Sequence, residues 1–320
     1  MYFKTSAISD IGLSRKTNQD SAYISDNFIL VADGMGGYAG GDLASKIVVD
    51  YLSKLNFSED SQKDIKNQVG DILADAKITF GKLIGQNPNL NMMGSTITFL
   101  ALQKNALLLG HVGDSRAYKF SGKKLEQLSK DHTVVQQLID SGKLTSKKAK
   151  KSDSRHKLTR VFGFFDIQTN PDIELISIKE GDRYMVCSDG LNAFVSDKVI
   201  EKTLAKYESN DEACEKLVEL AMRNGSTDNI TVALATISED ENAKNASFKL
   251  GSAADENLQS PPNASSTHKT AEVKLSLEQP AVQAQNQPSK EQKVKSADNE
   301  VHEPKPENKD LKKPFWSIFG

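Results

Sequence analysis

Residues 22–55 read AYISDNFILVADGMGGYAGGDLASKIVVDYLSKL, and one change of rhythm inside this stretch decides the architecture. From Ala22 to Ala32, strand-forming residues flank Asp26-Asn27, a pair suited to a tight turn, so two strands joined by that turn are predicted. A glycine-dense loop follows, Asp33-Gly34-Met35-Gly36-Gly37. Beyond it Leu43, Ile47, Val48, Tyr51, Leu52 and Leu55 recur at helical spacing, which predicts an amphipathic helix over 41–55 packed on a sheet.

Working outward, a second helix is predicted over 61–85. Short strand-like runs come next, Ser95–Leu102, Ala106–Val112 and Arg116–Phe120, then Ile173–Ile178, Tyr184–Ser188 and Ile230–Ile237. Helices are predicted near 132–142, 197–206 and 211–224. The strands arrive in clusters and do not alternate strictly with helices, which favours an antiparallel α+β arrangement with helices on sheet faces. No internal repeat is visible.

The 320 residues are 38% apolar, enough for a sizeable core, but that core is unevenly placed. Residues up to about Ile237 carry the patterned segments. From Ser238 the chain turns to Ala, Ser, Asn, Gln, Glu, Lys and Pro, and seven of the nine prolines fall there. Such a composition cannot repay the entropy of ordering, so 239–309 is expected to be a flexible linker. Net charge is −2, which supplies no global attraction to nucleic acid or to an anionic membrane. Cys187 and Cys214 do not form a disulfide framework and read as reduced structural thiols. No signal peptide and no apolar span long enough for a bilayer is present, so the expected location is the cytoplasm.

The chemistry lies in aspartates at the ends of predicted strands. Asp33 stands in VADGMGG, Asp114 in HVGDSR, Asp189 in VCSDGL and Asp228 in STDNIT. An Asp-Gly pair alone marks a turn, but four such aspartates at strand ends make a turn-only explanation poor. Ionised carboxylates offer hard oxygens without redox chemistry, so their convergence without Cys or His points to Mg²⁺ or Mn²⁺ and a hydrolytic centre. Gly34 would let the backbone approach an ion closely. Other schemes fail on inspection. Cys187 is followed six residues later by Ala193, not Arg, no Walker loop follows the glycines, and neither a Gly-x-Ser-x-Gly elbow nor an HExxH spacing occurs.

Eight motifs in order carry a resemblance: Asp10-Ile-Gly12, Arg15-Lys-Thr-Asn18-Gln19-Asp20, Asp33-Gly-Met-Gly-Gly37, Gly94-Ser95-Thr96, Gly113-Asp-Ser-Arg116, Leu158-Thr-Arg160, Ser188-Asp-Gly190 and Asp228-Asn-Ile-Thr231. Across roughly residues 1–238 the chain resembles the PPM, or type 2C, metal-dependent protein serine/threonine phosphatases of bacterial type. The resemblance implies a four-layer αββα sandwich of two antiparallel sheets flanked by helices. It implies that Asp33 bridges two Mn²⁺ or Mg²⁺ ions, with the Gly34 carbonyl on one and Asp189 and Asp228 on the other. Asp114, with Asp189, would take a weaker third ion. Arg15 would bind the phosphate and Asp20 would order water. Met35 stands where eukaryotic members carry a histidine proposed as general acid, and Gln19 where they carry a glutamate.

Three expectations concern recognition. By resemblance, a flap about 141–165 lies beside the site, and its cluster of Lys and Arg could favour acidic or multiply phosphorylated peptides or could simply be solvated charge. His111 reads as a packed strand residue, His132 as a helix-start residue and His156 as one that could approach substrate. The end of the chain, 310–320, groups Phe315, Trp316 and Phe319 with Lys312 and Lys313, suiting a protein partner or a membrane surface. The expected partners are phosphorylated proteins and a cognate Ser/Thr kinase, with no nucleic acid, for a monomer. A catalytically silent phosphopeptide-binding scaffold of the same fold is the alternative.

Overall fold

A computed structural model describes residues 1–36, 40–55, 65–103, 106–149, 152, 154–163, 170–240, 247–256 and 258. Gly37, parts of the expected flap, most of the expected linker and the aromatic C-terminal motif lie outside the described residues. The chain divides after residue 271, and everything described precedes that division.

The opening stretch folds as its rhythm predicts. Strands β2 (Asp20–Ile24) and β3 (Phe28–Met35) pair antiparallel around the Asp26-Asn27 turn, and helix α1 (Gly41–Leu52) follows. Period-two alternation then sorts β3 between two environments. Phe28, Leu30 and Ala32 face a cluster with Ala44, Ile47, Val48 and Leu52 of α1 and with Val69, Leu73 and Phe80 of α2 (Ile65–Gln86). Ile29 and Val31 face the opposite way, into a cluster with Phe3, Tyr184, Val186, Ala233 and Ala235.

That second cluster is the interface between two sheets. One sheet runs in the order β10 (Asp172–Ser177), β6 (Ala106–Val112), β5 (Ile97–Gln103), β3, β2, β13 (Phe248–Gly251), with the short β4 (Gly94–Ser95) and β9 (Phe162–Gly163) attached to β3. The other runs β1 (Tyr2–Asp10), β12 (Ile230–Ser238), β11 (Arg183–Cys187), β7 (Arg116–Ser121), β8 (Lys124–Gln127). All these pairings are antiparallel.

The outer face of the second sheet holds Ile230, Val232 and Leu234, which pack against α6 (Asp197–Lys206) and α7 (Asn210–Arg223) through Ile200, Leu204, Cys214 and Leu217. Helix, sheet, sheet and helix make the four-layer αββα sandwich that the resemblance implies. Both faces of each sheet are covered, which is why the central strands read as continuous apolar runs although they are antiparallel. Three short helices, α3 (Val134–Asp140), α4 (Ser146–Ala149) and α5 (Asp189–Asn192), occupy the connections.

Among the described residues four strands escape the sequence reading, the two-residue β9, which pairs with β4 inside the range expected to be flap, being the shortest. β1 pairs along its whole length with β12, from Tyr2↔Ser238 to Asp10↔Ile230. β8 is a polar edge strand. β13 lies inside 239–309, the range expected to be linker, and pairs with β2. The folded region therefore continues past 238 through Ala254, because Leu250 and Ala253 find apolar contacts that a composition average hides.

Candidate active site

Asp20 opens β2 and Asp33 lies near the end of β3, and the register sets them directly opposite each other. Like charges across a ladder are unfavourable, so this pairing is a cost that the fold carries for a reason other than stability. The Asp33 backbone is pinned on both sides: its N–H donates to Thr96 Oγ1 at 2.9 Å, and its carbonyl accepts from the Thr96 N–H at 2.9 Å and from Ser95 Oγ at 3.1 Å. Gly34 follows, and a Cβ there would come within 1.9 Å of the Gly41 carbonyl. Only glycine lets the start of α1 sit so close beneath this strand end.

Asp20 is buried. Its Oδ2 accepts from Ser188 Oγ at 2.7 Å and from Thr231 Oγ1 at 2.7 Å, and Ser188 Oγ in turn accepts the Thr231 N–H at 3.0 Å. Ser188 immediately precedes Asp189, and Thr231 lies three residues after Asp228. One carboxylate of the first sheet is thus bonded to the two segments of the second sheet that carry Asp189 and Asp228. Asn229 adds a further tie: its Nδ2 donates to the carbonyls of Ile11 at 2.9 Å and Thr17 at 3.1 Å, and its Oδ1 accepts the Gln19 N–H at 2.9 Å. These bonds fix the loop that presents Arg15. Arg15 Nη2 donates to Asp228 Oδ2 at 2.7 Å.

Asp114 sits between β6 and β7, its neighbour Ser115 bonded to Thr96 Oγ1 at 2.8 Å. Asp189 opens α5, with His156 Nδ1 3.8 Å from its Oδ2. His156 therefore does reach the acidic cluster.

The charges interact. Burial first, then the neighbouring carboxylates Asp20, Asp189, Asp114 and Asp228, hold the Asp33 carboxyl well above the usual range. Burial and then Asp189 do the same to Asp114. Burial pushes Asp20 up to about 7 against the opposing hydrogen bonds from Thr231 and Ser188, with Asp189 and Asp228 adding to the rise. Arg15 is raised by its bond to Asp228 and then by the fields of Asp33 and Asp189. All five aspartates and Arg15 therefore belong to one electrostatic unit. Among the described residues, however, no three Asp, Glu, His or Cys side chains converge on a single ion position. The expected grouping of Asp33, Asp189 and Asp228 is not drawn that tight, and Asp228 turns one oxygen to Arg15 instead.

Residues 2–230 match the family model described as "Protein phosphatase 2C". The chain belongs to the protein phosphatase 2C family. Among its relatives, the serine/threonine protein phosphatase PstP of Mycobacterium tuberculosis is 36% identical over 244 residues, which cover 74% of this chain and 45% of that one. The chain thus spans under half the length of PstP. Protein phosphatase PhpP of Streptococcus pneumoniae is 32% identical over 244 residues, covering 74% of this chain and 98% of PhpP. A crystal structure of the PstP catalytic domain in complex with two manganese ions superposes with a TM-score of 0.67 at 34% identity, covering 73% of this chain and 98% of that one. The phosphatase 2C fold and the antiparallel α+β architecture read from the sequence agree.

The donors suit a hard divalent cation. They are oxygens only, several are desolvated and mutually repelling, and positive charge placed among them would favour the ionised forms that burial opposes. His111 and His132 lie beside the strand end that leads to Asp114, with their ring nitrogens bonded to other partners. His111 is buried in β6, its Nε2–H donating to the Lys130 carbonyl at 3.1 Å, which leaves Nδ1 to accept from Thr98 Oγ1 at 2.9 Å. His132 accepts the Gly113 N–H on Nδ1 at 3.1 Å and bonds Asp172 through Nε2 at 3.0 Å. The helix start expected of His132 falls to Thr133, whose Oγ1 accepts the Gln136 N–H at 3.2 Å.

Sequence reasoning missed Ser188, Thr231 and Asn229, although all three sit inside the motifs that carry the aspartates. Their spacing to Asp189 and Asp228 was the available signal.

Proposed function

We propose that the chain hydrolyses phosphoserine and phosphothreonine in proteins, in the cytoplasm, opposing a Ser/Thr kinase. The observation that carries this reading is the single acidic unit formed by Asp20, Asp33, Asp114, Asp189 and Asp228 with Arg15 at its edge. Asp33, the Gly34 carbonyl, Asp189 and Asp228 would hold two Mn²⁺ or Mg²⁺ ions, and Asp114 with Asp189 a weaker third. Such ions, when bound, supply Lewis acidity that activates water near neutral pH and neutralises phosphoryl charge.

The chain's own residues do the rest. Arg15 is half exposed and presents a planar donor pair, suited to two phosphoryl oxygens once substrate competes with Asp228 for it. Asp20, fixed by Ser188 and Thr231, orders water at the cluster. Met35 carries no proton, so protonation of the leaving alkoxide falls to water or to another group.

Phosphate release from a phosphothreonine peptide tests the reading. Release is expected with Mn²⁺ and not with excess chelator, and Asp33→Asn is expected to abolish it. Tight phosphopeptide binding without release in Mn²⁺ or Mg²⁺ would convert the assignment to a silent binding scaffold.

A further inference from the structure

The family match ends at residue 230, and the chain then builds one more piece of the fold. After β12 it returns as β13 on the outer edge of the first sheet, in the register Phe248↔Ile24, Lys249↔Tyr23, Leu250↔Ala22 and Gly251↔Ser21. Four residues on a sheet edge make a weak attachment. Two charged contacts reinforce it on the α1 side. Lys249 Nζ lies 2.5 Å from Asp50 Oδ1, and Lys46 Nζ donates to the Ala253 carbonyl at 3.3 Å. Ala253 and Ser252 are buried, and Ala253 joins the core cluster of α1.

The other side of this segment touches the segment that bears Asp20. Ser252 Oγ donates to the Asn18 carbonyl. Gly251, at φ 63°, lies so close to Asp20 that a Cβ would stand 2.2 Å from the Asp20 carbonyl. Asn18 passes the contact on: its Oδ1 accepts the Asp20 N–H at 3.1 Å and its Nδ2 donates to Ser9 Oγ at 2.9 Å. Asp20 is therefore held through its carboxylate by Ser188 and Thr231, while 251–252 pack against its carbonyl and bond Asn18, whose side chain accepts the Asp20 N–H.

We infer that residues 248–254 form a strap that positions Asp20 for the reaction, with Gly251 and Ser252 as positioning residues. The inference rests on the role given to Asp20 in the proposed function. An edge cover alone would need only the ladder and the apolar contact. Here a buried hydroxyl is committed to the Asn18 carbonyl, and a left-handed glycine is placed where no side chain fits.

The test uses the full chain with Ser252→Ala and Gly251→Val, alongside Asp20→Asn and the remote destabilising change Gly110→Ala. Turnover of a phosphothreonine peptide is read together with Mn²⁺ affinity by calorimetry and amide hydrogen exchange over 18–24. Both strap variants are expected to lower kcat and weaken Mn²⁺ binding by roughly 3- to 10-fold, below the roughly 10- to 100-fold typical of groups bonded directly to a metal's ligands because the strap acts one step further out, with KM little changed and exchange over 18–24 accelerated. Ser252→Thr, which keeps the hydroxyl, is expected to restore Mn²⁺ affinity. Gly110→Ala is expected to lower the melting temperature without these changes. Losses in the strap variants that only track melting temperature, as in Gly110→Ala, would overturn the strap. Unchanged kcat and Mn²⁺ affinity beside an inactive Asp20→Asn would overturn it too. Full turnover in Asp20→Asn would instead mark the failure of the role given to Asp20, and the strap's purpose would fall with it.

Discussion

Arg15 and Asp228 form a charge-assisted pair at the rim of the acidic unit, 49% and 34% exposed. That exposure makes the pair itself of little value to stability. The guanidinium's worth lies in substrate contact, so Arg15→Ala is expected to cost about 1.5–3 kcal/mol in kcat/KM for a phosphopeptide while leaving the melting temperature nearly unchanged. Arg15→Lys should regain only part, since one ammonium cannot reproduce the two-pronged geometry. Steady-state kinetics beside thermal melts check both.

His111 makes a separate prediction about pH. Burial first, then His132, lowers its pKa from 6.5 to about 3 against the opposing bond to the Lys130 carbonyl, and Nδ1 accepting from the Thr98 hydroxyl suits the neutral ring. Protons then bind the unfolded chain more readily than the folded one, so its contribution is complete above about pH 6.5 and is lost as pH falls toward 3. Between pH 7 and pH 4, His111→Gln is expected to lose less melting temperature than the parent.

At this scale the aspartates were legible only as a set, because one Asp beside glycine usually marks a turn whereas four at strand ends of one domain do not. Ser188, Thr231 and Asn229 were not. Hydroxyls and amides hydrogen-bond almost anywhere in a fold, and only the meeting of two sheets shows what these three hold.

Among the elements, the unit β2–β3–α1 was readable because its period changes from two to 3.6 across a glycine-dense loop. β1 was not, because Ser6 and Ser9 interrupt the apolar alternation. They do so where small polar residues are wanted, with Ser9 Oγ bonded to Thr231 Oγ1 at 2.8 Å. β13 hid within a polar composition. The β5–β6 pairing shows how closely the first sheet is packed: Phe99 opposes Gly110, and a Cβ on Gly110 would stand 2.2 Å from the Phe99 ring. Gly110→Ala is therefore expected to destabilise by about 1–3 kcal/mol through overpacking, read from the urea midpoint at constant slope. Phosphopeptide turnover at a temperature where the variant stays folded should be unaffected, since β5 and β6 reach the acidic unit only at their ends.

In the molecule as a whole, the acids are divided between the two sheets. Asp20 and Asp33 belong to the first sheet, whereas Asp189 and Asp228 border β11 and β12 of the second. Mn²⁺ is accordingly expected to raise the melting temperature, by about 2.7 kcal/mol of stability at 100 times its dissociation constant, and Asp33→Asn should blunt the gain. Asp20 already acts as a keystone across that seam, tying one layer to the other from within. Because a keystone also sets the gap between the stones it joins, any sliding of one layer past the other would respace the acids on its two sides, so the tightness of the seam governs how well the acids of the two layers can share an ion.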